Sequence, residues 1–485
     1  MENEVLHMSR VTYKTEDRVL LQDFELSVLE GEILGILPLN GYGLKAFLEL
    51  IKENLPLYFG QVFYEKKLVN SWKDMHRITN DITVIEDVSS LVAGQDILSN
   101  IYMIGKGSDQ YFIREQELEK KLRPFLEDIG FEISPYTKAE ALTAFERVMV
   151  EILRAVISGH RLIVLHEISS FIGEWQMVRL YEIMNHYVKQ GFSFIFISGH
   201  VEELKGVCHR TALMSNGKIL KILDREEMDR HLLKIYKEGA GNVPLANKIE
   251  GTKTISKNQD GPVLEIRNMT GQILQGLELR VARGEYLVIK AKDNRAFEEL
   301  RRYVLGKSSP KEGAFYLNGK KVDLTQTRDV AVIKERADET MIFPRMSYMD
   351  NLMLTADHRI KNLWSSPSIA RSIKRELKDE LGEHIFEKKV ENLSQKNKIT
   401  LVYYRVLMQR PKVAICILPF KDADIRLRAR IMDMHHKLLK KGIAVVTLTM
   451  NITDTMLLAD RVLELDKNKL TELKIEEGQD YGEKL

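Results

Sequence analysis

Residues 35–51 read GILPLNGYGLKAFLELI. Gly35, Ile36 and Leu37 give a short apolar strand signal, Gly41 and Gly43 punctuate a loop, and an apolar run follows at helical spacing. A strand that passes through a glycine loop into a helix is the outline of a phosphate cradle, because the first N–H groups of the helix point back at the loop. The pattern calls for glycine at position 38, and for lysine and then Ser or Thr directly after Gly43. Pro38, Leu44 and Lys45 hold those places. The outline is present; its cation and its hydroxyl are not.

A chain of 485 residues has room for two to four domains, each with a sizeable core. Hydrophobic content of 44% with 29% charged residues fits a soluble globular protein rather than a disordered one. Lys+Arg 72 against Asp+Glu 70 leaves a net +2, too balanced to suggest a nucleic-acid partner. The two cysteines, Cys208 and Cys416, exclude a disulfide scaffold and suit a reducing cytosol. MENEVLHMSR has neither a basic start nor an apolar core of a signal segment. The runs FSFIFIS and VAICILPF are too short to span a bilayer, so any membrane role is expected to be peripheral.

The chain repeats itself. Leu142-Thr143 recurs as Leu393-Ser394, Asn100-Ile101 as Asn351-Leu352, and His209-Arg210-Thr211 as Asp460-Arg461-Val462, each 251 residues on. Gly31-Glu32 recurs as Gly284-Glu285 at nearly the same spacing. The polar stretch 239–261 lacks periodicity and is expected to link domains at 1–238 and 262–485. In the first half, LIVL (162–165) and FSFIFI (192–197) flank an amphipathic segment, 174–188, as a parallel crossover does. In the second, VAICIL (413–418), a helix through about 440 and IAVVTLT (443–449) repeat that order. The expectation is an α/β fold built twice.

These segments resemble the tandem ATP-binding subunits of sugar-import ABC transporters, the ribose/galactose type with two nucleotide-binding domains in one chain. LTAFERVMVEILRAV (142–156) is similar to the family's signature segment LSxGQQQMVEIAKAL, keeping Met149, Val150, Glu151, Ile152 and Ala155. LIVLHEISS (162–170) resembles its Walker B run, and FIFISGHVEEL (194–204) the strand that ends in a switch histidine. GEYLVIKAKDNRAFEELRRYVLG (284–306) resembles the second P-loop region, and IFPRMSYMDNL (342–352) the segment after the second Q-loop. The resemblance implies two tandem ABC-type P-loop domains, each with a helical subdomain, and ATP held between one half's P-loop and the other's signature.

Residue by residue, the family's chemistry is altered. Leu44 stands at the phosphate-neutralising lysine and Lys45 at the Mg²⁺-ligating hydroxyl. Asp87 stands at the Q-loop glutamine, His166 at the Walker B aspartate and Gly199 at the switch histidine, with His200 one place later. Only Glu167, the family's general base, is in register. In the second half Phe297 and Glu298 fill the Lys and Ser/Thr places, Ile417 and Leu418 replace both Walker B acids, and Met450 is at the switch position. The signatures read LTAFE, with Phe145 in a glycine's place, and LSQKN. What remains of a nucleotide site is Asn40, Gly41, Gly43, Lys45 and Ser394.

Losing the lysine, the hydroxyl and the Walker B carboxylate removes three charge-assisted contacts worth about 1.5–3 kcal/mol each. The first site is therefore expected to bind ATP and Mg²⁺ at most weakly, with Lys45 as its substitute cation, and not to hydrolyse. His166 and His200 lack metal-site spacing, so no metal is expected. His435-His436 are expected at the surface, and the mixed-sign segment 371–384 on a solvated face. The resemblance implies an integral-membrane sugar-type permease as partner, docking at Asn100-Ile101 and Asn351-Leu352, and a place on the cytoplasmic face of the membrane. A sugar-binding protein or a sensor system could complete the assembly. Phe145, Phe297, Leu44, Ile417 and Leu418 are expected to hold the halves together in place of nucleotide. The expected function is a pseudo-ATPase subunit with a structural or regulatory role. The alternative is a working ATP-hydrolysing import subunit; a soluble ABC protein acting on ribosomes or DNA fits the charge balance less well.

Overall fold

The computed structural model describes residues 3–15, 18–71, 80–102, 115–228, 261–292, 294–354, 366–421, 423–450, 459–466 and 469–473. The described residues divide into two compact units, 3–228 and 261–473. Apart from Gly261, the expected linker lies outside the described residues.

In the first half, β1 (Glu4–Thr15), β2 (Arg18–Leu29), β4 (Phe59–Tyr64) and β5 (Lys67–Ser71) form an antiparallel sheet ordered β2-β1-β4-β5. A second sheet takes β3 (Ile33–Pro38), β6 (Ile82–Ile85), β7 (Leu162–His166), β8 (Ser193–Ile197), β9 (Arg210–Ser215) and β10 (Lys218–Asp224) in the order β10-β9-β3-β8-β7-β6. All its pairs are parallel except β9 with the edge strand β10. Every residue of β3 and β8 is buried, which is why both read as unbroken apolar runs rather than alternating ones. Helix α1 (Leu44–Lys52) leaves β3 through the glycine loop. Between β6 and β7 come α2 (Ile97–Tyr102), α3 (Glu115–Asp128) and α4 (Ala144–Ile157), the helical subdomain. The helices α5 (Glu174–Val188) and α6 (Val201–Val207) are the crossovers before and after β8.

The second half repeats this plan. Its antiparallel sheet takes β11 (Leu264–Thr270), β12 (Leu277–Val281), β14 (Glu312–Leu317) and β15 (Lys320–Val322) in the order β12-β11-β14-β15. The mixed sheet takes β13 (Tyr286–Ala291), β16 (Val330–Ile333), β17 (Val413–Ile417), β18 (Ala444–Thr449), β19 (Arg461–Asp466) and β20 (Lys469–Leu473), ordered β16-β17-β18-β13-β19-β20. Strand for strand this is the first half's order. Helices α7 (Asn294–Val304), α8 (Ala337–Thr340), α9 (Tyr348–Met353), α10 (Ser366–Leu381), α11 (Gln395–Gln409) and α12 (Ile425–Lys440) complete it. Each half is thus an α/β domain with its own helical subdomain.

The repeat extends to single hydrogen bonds. Glu167 N donates to Ile197 O at 2.9 Å, and 251 residues on Leu418 N donates to Leu448 O at 2.9 Å. Glu167 and Leu418 also share left-handed backbone, with φ of 50° and 45°. For a branched side chain such as Leu418 that conformation is strained, so the fold imposes it at the strand end.

His435 corrects a sequence expectation. It is completely buried, with Nδ1 3.0 Å from the Tyr286 hydroxyl and Nε2 2.9 Å from the Tyr403 hydroxyl. Its neighbour His436 is the one at the helix margin. Helical geometry puts adjacent residues about 100° apart, so only one of the pair can face the sheet.

Candidate functional site

The glycine loop of the first half keeps its turn. Gly43 has φ 85° and caps α1, and a Cβ there would stand 2.6 Å from Leu20 O and 2.7 Å from the Gly217 Cα. Only glycine fits. The middle of the loop is tied to its own domain. Asn40 Nδ2 donates to Ser215 Oγ (2.8 Å) and Asn216 Oδ1 (3.0 Å), while its Oδ1 accepts from Tyr42 N (3.2 Å) and Asn216 N (3.0 Å). The Tyr42 hydroxyl donates to Val19 O at 2.6 Å. Gly41 is open, with no heavy atom within 4 Å of an added Cβ.

The two residues after Gly43 diverge. Leu44 is 9% exposed and belongs to the core of the first half. Lys45 has a side chain 90% exposed, 3.9 Å from Glu49 one helical turn on. Lys45, expected as the substitute cation, faces solvent at position 45 of α1, and its ammonium lies beside Glu49 along the helix.

Across the loop, Glu86 is the first residue after β6. Its carboxylate lies 3.0 Å from His166 Nδ1 and 3.2 Å from Lys52 Nζ. The hydrogen bond from His166, with Lys52 adding to it, holds the Glu86 carboxyl down at about 2. Asp87 Oδ1 accepts from the adjacent Val88 N at 2.9 Å. Glu167 is 7% exposed, and its Oε1 accepts from Gly199 N at 2.8 Å, so it fixes the loop after β8. Ser198 Oγ there accepts from His200 N at 3.0 Å and donates to Glu203 at 2.8 Å.

The signature segments are helix caps. Thr143 and Glu146 form a capping box at the start of α4, with Glu146 N donating to Thr143 Oγ1 at 3.3 Å and Thr143 N to Glu146 Oε2 at 2.7 Å. Phe145 is buried beside Trp175, ring centroids 6.1 Å apart. Ser394 caps α11 by accepting from Asn397 N.

In the second half, Phe297 sits in the core under α7. Glu298 pairs with Arg301 at 2.8 Å; Arg301 also reaches Glu335 at 2.8 Å, and Lys421 meets Glu335 at 3.3 Å. Ile417 (1% exposed) and Met450 (2%) belong to the same core, and Leu418 packs against it. For Phe145, Phe297, Leu44, Ile417 and Leu418, the residues expected to join the halves, the packing described lies within one half. Leu44, Phe297 and Ile417 are buried in the core of their own half, Phe145 is buried beside Trp175, and Leu418 is half-buried against the second core, where apolar side chains gain by leaving water.

The docking residues are corrected as well. Asn100, Ile101, Asn351 and Leu352 are 0%, 4%, 0% and 0% exposed, too deep to touch a partner. Asn100 Oδ1 accepts from Val92 N (2.7 Å) and its Nδ2 donates to Val92 O (3.2 Å) and Asp96 O (2.9 Å). Asn351 does the same with Phe343 N (2.8 Å), Phe343 O (2.9 Å) and Ser347 O (3.0 Å). Each amide closes a loop that exposes apolar side chains: Val88 and Val92 in one half, 76% and 48% exposed, and Phe343 in the other, 51% exposed.

Sequence reasoning missed several contributors. Glu151, 1% exposed on α4, accepts from Ser90 N at 2.6 Å and Ser90 Oγ at 2.7 Å, tying the loop after β6 to the helical subdomain. Its signal was an acid inside the apolar run MVEIL. Glu86 and Glu335 were also missed, although each closely follows an apolar strand. Among the described residues no cluster of His, Cys, Asp or Glu could hold a metal ion, and no helix is long and apolar enough to cross a membrane.

No protein-family model matches the chain. It is 22% identical to a ribose import ATP-binding protein of Clostridium tetani, over 94% of this chain and 92% of that protein. It is 24% identical to a xylose import ATP-binding protein of Thermoanaerobacter pseudethanolicus, over 99% of this chain and 97% of that one. A galactose/methyl galactoside import ATP-binding protein of Clostridium perfringens is similar over 97% of this chain at 20% identity. Among solved structures, a nucleotide-free ATP-binding cassette from an ABC transporter is similar at a TM-score of 0.41 and 18% identity, covering 48% of this chain and 95% of its own.

Proposed function

We propose that this chain, similar along almost its whole length to the ATP-binding proteins of ribose, xylose and galactose import, is a non-hydrolysing subunit of a sugar-type ABC system. It works as a structural or regulatory body on the cytoplasmic face of the membrane, beside an integral-membrane permease. A sugar-binding protein or sensor is the natural third component; nucleic acid is not a ligand.

The observation that supports this reading most strongly is the fate of the residues after Gly43. Leu44 is sunk in the core and Lys45 stands in solvent beside Glu49, so the cradle has no lysine to meet the β- and γ-phosphates. At the metal side, His166 replaces a carboxylate and is engaged with Glu86. In the second half, Glu298 stands where the motif would have its hydroxyl, and its carboxylate is paired with Arg301 at 2.8 Å. The permease's docking surfaces in this reading are the apolar loops at Val88, Val92 and Phe343, shaped from beneath by Asn100 and Asn351.

The competing reading is a working ATP-hydrolysing import subunit, favoured by the kept turn at Gly43 and by Glu167 at the end of β7. Phosphate release from ATP–Mg²⁺ by the purified chain decides between them. The proposal expects no release above buffer and no difference in Glu167→Gln. Turnover that disappears in Glu167→Gln rejects it.

A further inference from the structure

We propose that each half carries a built-in ionic clamp in which one carboxylate joins the last turn of the helix after the glycine loop, or of its counterpart, to the neighbouring strand end. It ties from the far end of the helix two elements that nucleotide and metal would bridge at its first turn. In the first half the carboxylate is Glu86, just past β6, held by Lys52 of α1 at 3.2 Å and by His166 at the end of β7 at 3.0 Å. In the second half it is Glu335, just past β16, held by Arg301 of α7 at 2.8 Å and by Lys421 beyond β17 at 3.3 Å.

The two clamps share a layout but not their residues. Lysine faces arginine, and histidine faces lysine, at positions that are not equivalent along the helices. One ancestral pair copied with the repeat would keep its residue types and its register. The same three elements joined by different side chains point instead to a requirement that each half meets separately. In an ATP-binding cassette these elements are bridged from outside, by phosphate at the first turn of the helix and by metal at the strand end, whereas Lys52 and Arg301 tie them from the last turn. Here the protein supplies both signs of charge itself.

Burial makes the second clamp more than a surface ion pair. Exposed pairs contribute little because solvent screens them and side-chain entropy opposes them. The Lys421 and Arg301 side chains are 10% and 21% exposed, and Arg301 also holds Glu298, so the charges form a partly desolvated network. The first clamp is more open, with Glu86 at 34% and Lys52 at 40% exposure. It is the weaker tie. The clamp's assignment as a stand-in for nucleotide rests on the non-hydrolysing reading; its existence as an energetic unit does not.

The test is a double-mutant cycle read by native-state hydrogen exchange on the full chain. The variants are Glu335→Gln, Lys421→Met and both together, followed in peptides that cover 334–341. A clamp predicts that each single change speeds exchange by about fivefold to tenfold, and that the double variant is no faster than the worse single one. Single effects that simply multiply overturn it. Should Glu335→Gln fail to fold, the more exposed cycle of Glu86→Gln with Lys52→Met, read at 86–91, carries the same test with a smaller coupling. If ATP turnover is found in the wild type while the cycles still show coupling, the functional proposal falls and the clamp stands. Absent turnover with multiplicative effects removes the clamp alone.

Discussion

Leu44 and Lys45 open α1 directly after the glycine loop. The first side chain of α1 points into the core and the second out of it, because a helix turns about 100° per residue. Restoring the motif's cation as Leu44→Lys therefore places an ammonium among Phe47, Leu34 and their neighbours. The expected cost is about 2–5 kcal/mol, measured by urea unfolding, with no gain in nucleotide binding. A Leu44→Lys chain of unchanged stability that binds ATP would refute this placement. His435 gives a second prediction at this scale. Burial lowers its folded-state pKa from 6.5 to about 3, so the unfolded chain takes up the proton first. The contribution of the neutral ring is complete above the unfolded value and is lost as pH falls through that window. Unfolding free energy should drop between about pH 7 and about pH 4, and the drop should be smaller in His435→Gln. Neither residue's environment could be read from the sequence, since both depend on which face of a helix meets the sheet. The apolar run around Leu44 carried that information only once α1 was placed.

Elements were the most readable scale. The segment 174–188 is α5 to the residue, and IAVVTLT contains β18, because amphipathic and unbroken apolar periods follow directly from helix and buried-strand geometry. The Asn100 and Asn351 repeats were visible as sequence, but their role was not. A repeated polar residue beside an apolar one reads equally well as a contact surface or as a buried loop clamp. Only the hydrogen bonds to residues eight positions upstream distinguish them. Aspartate at these positions keeps the acceptor and loses the donors to Val92 O and Phe343 O. Asn100→Asp and Asn351→Asp should each destabilise by about 1–3 kcal/mol, seen in thermal melting and in faster exchange of 88–96 or 339–347. If the proposed permease partner is present, its loss from co-purification in the pair would reflect a reshaped loop, whereas Phe343→Ser should lose it without loss of stability. At α4, Thr143→Ala removes one arm of the capping box and should cost about 1 kcal/mol.

For the whole chain, the twofold fold with its 251-residue repeat was evident in the sequence, because matched residues recur in order on matched strands. The altered site was legible as substitutions, but not as the charges that replaced them. Glu86, Lys52, Arg301, Glu335 and Lys421 are ordinary surface-type residues until the fold brings them together. In the proposed reading, the chain is a nucleotide-binding scaffold whose sites are filled by its own side chains. Its central property should therefore be indifference to nucleotide. Thermal melting with increasing ATP–Mg²⁺ tests this most directly, since a ligand at 100 times its Kd adds about 2.7 kcal/mol to the folded state. No shift in Tm up to millimolar nucleotide is the predicted result, and a clear rise at submillimolar ATP–Mg²⁺ would contradict it.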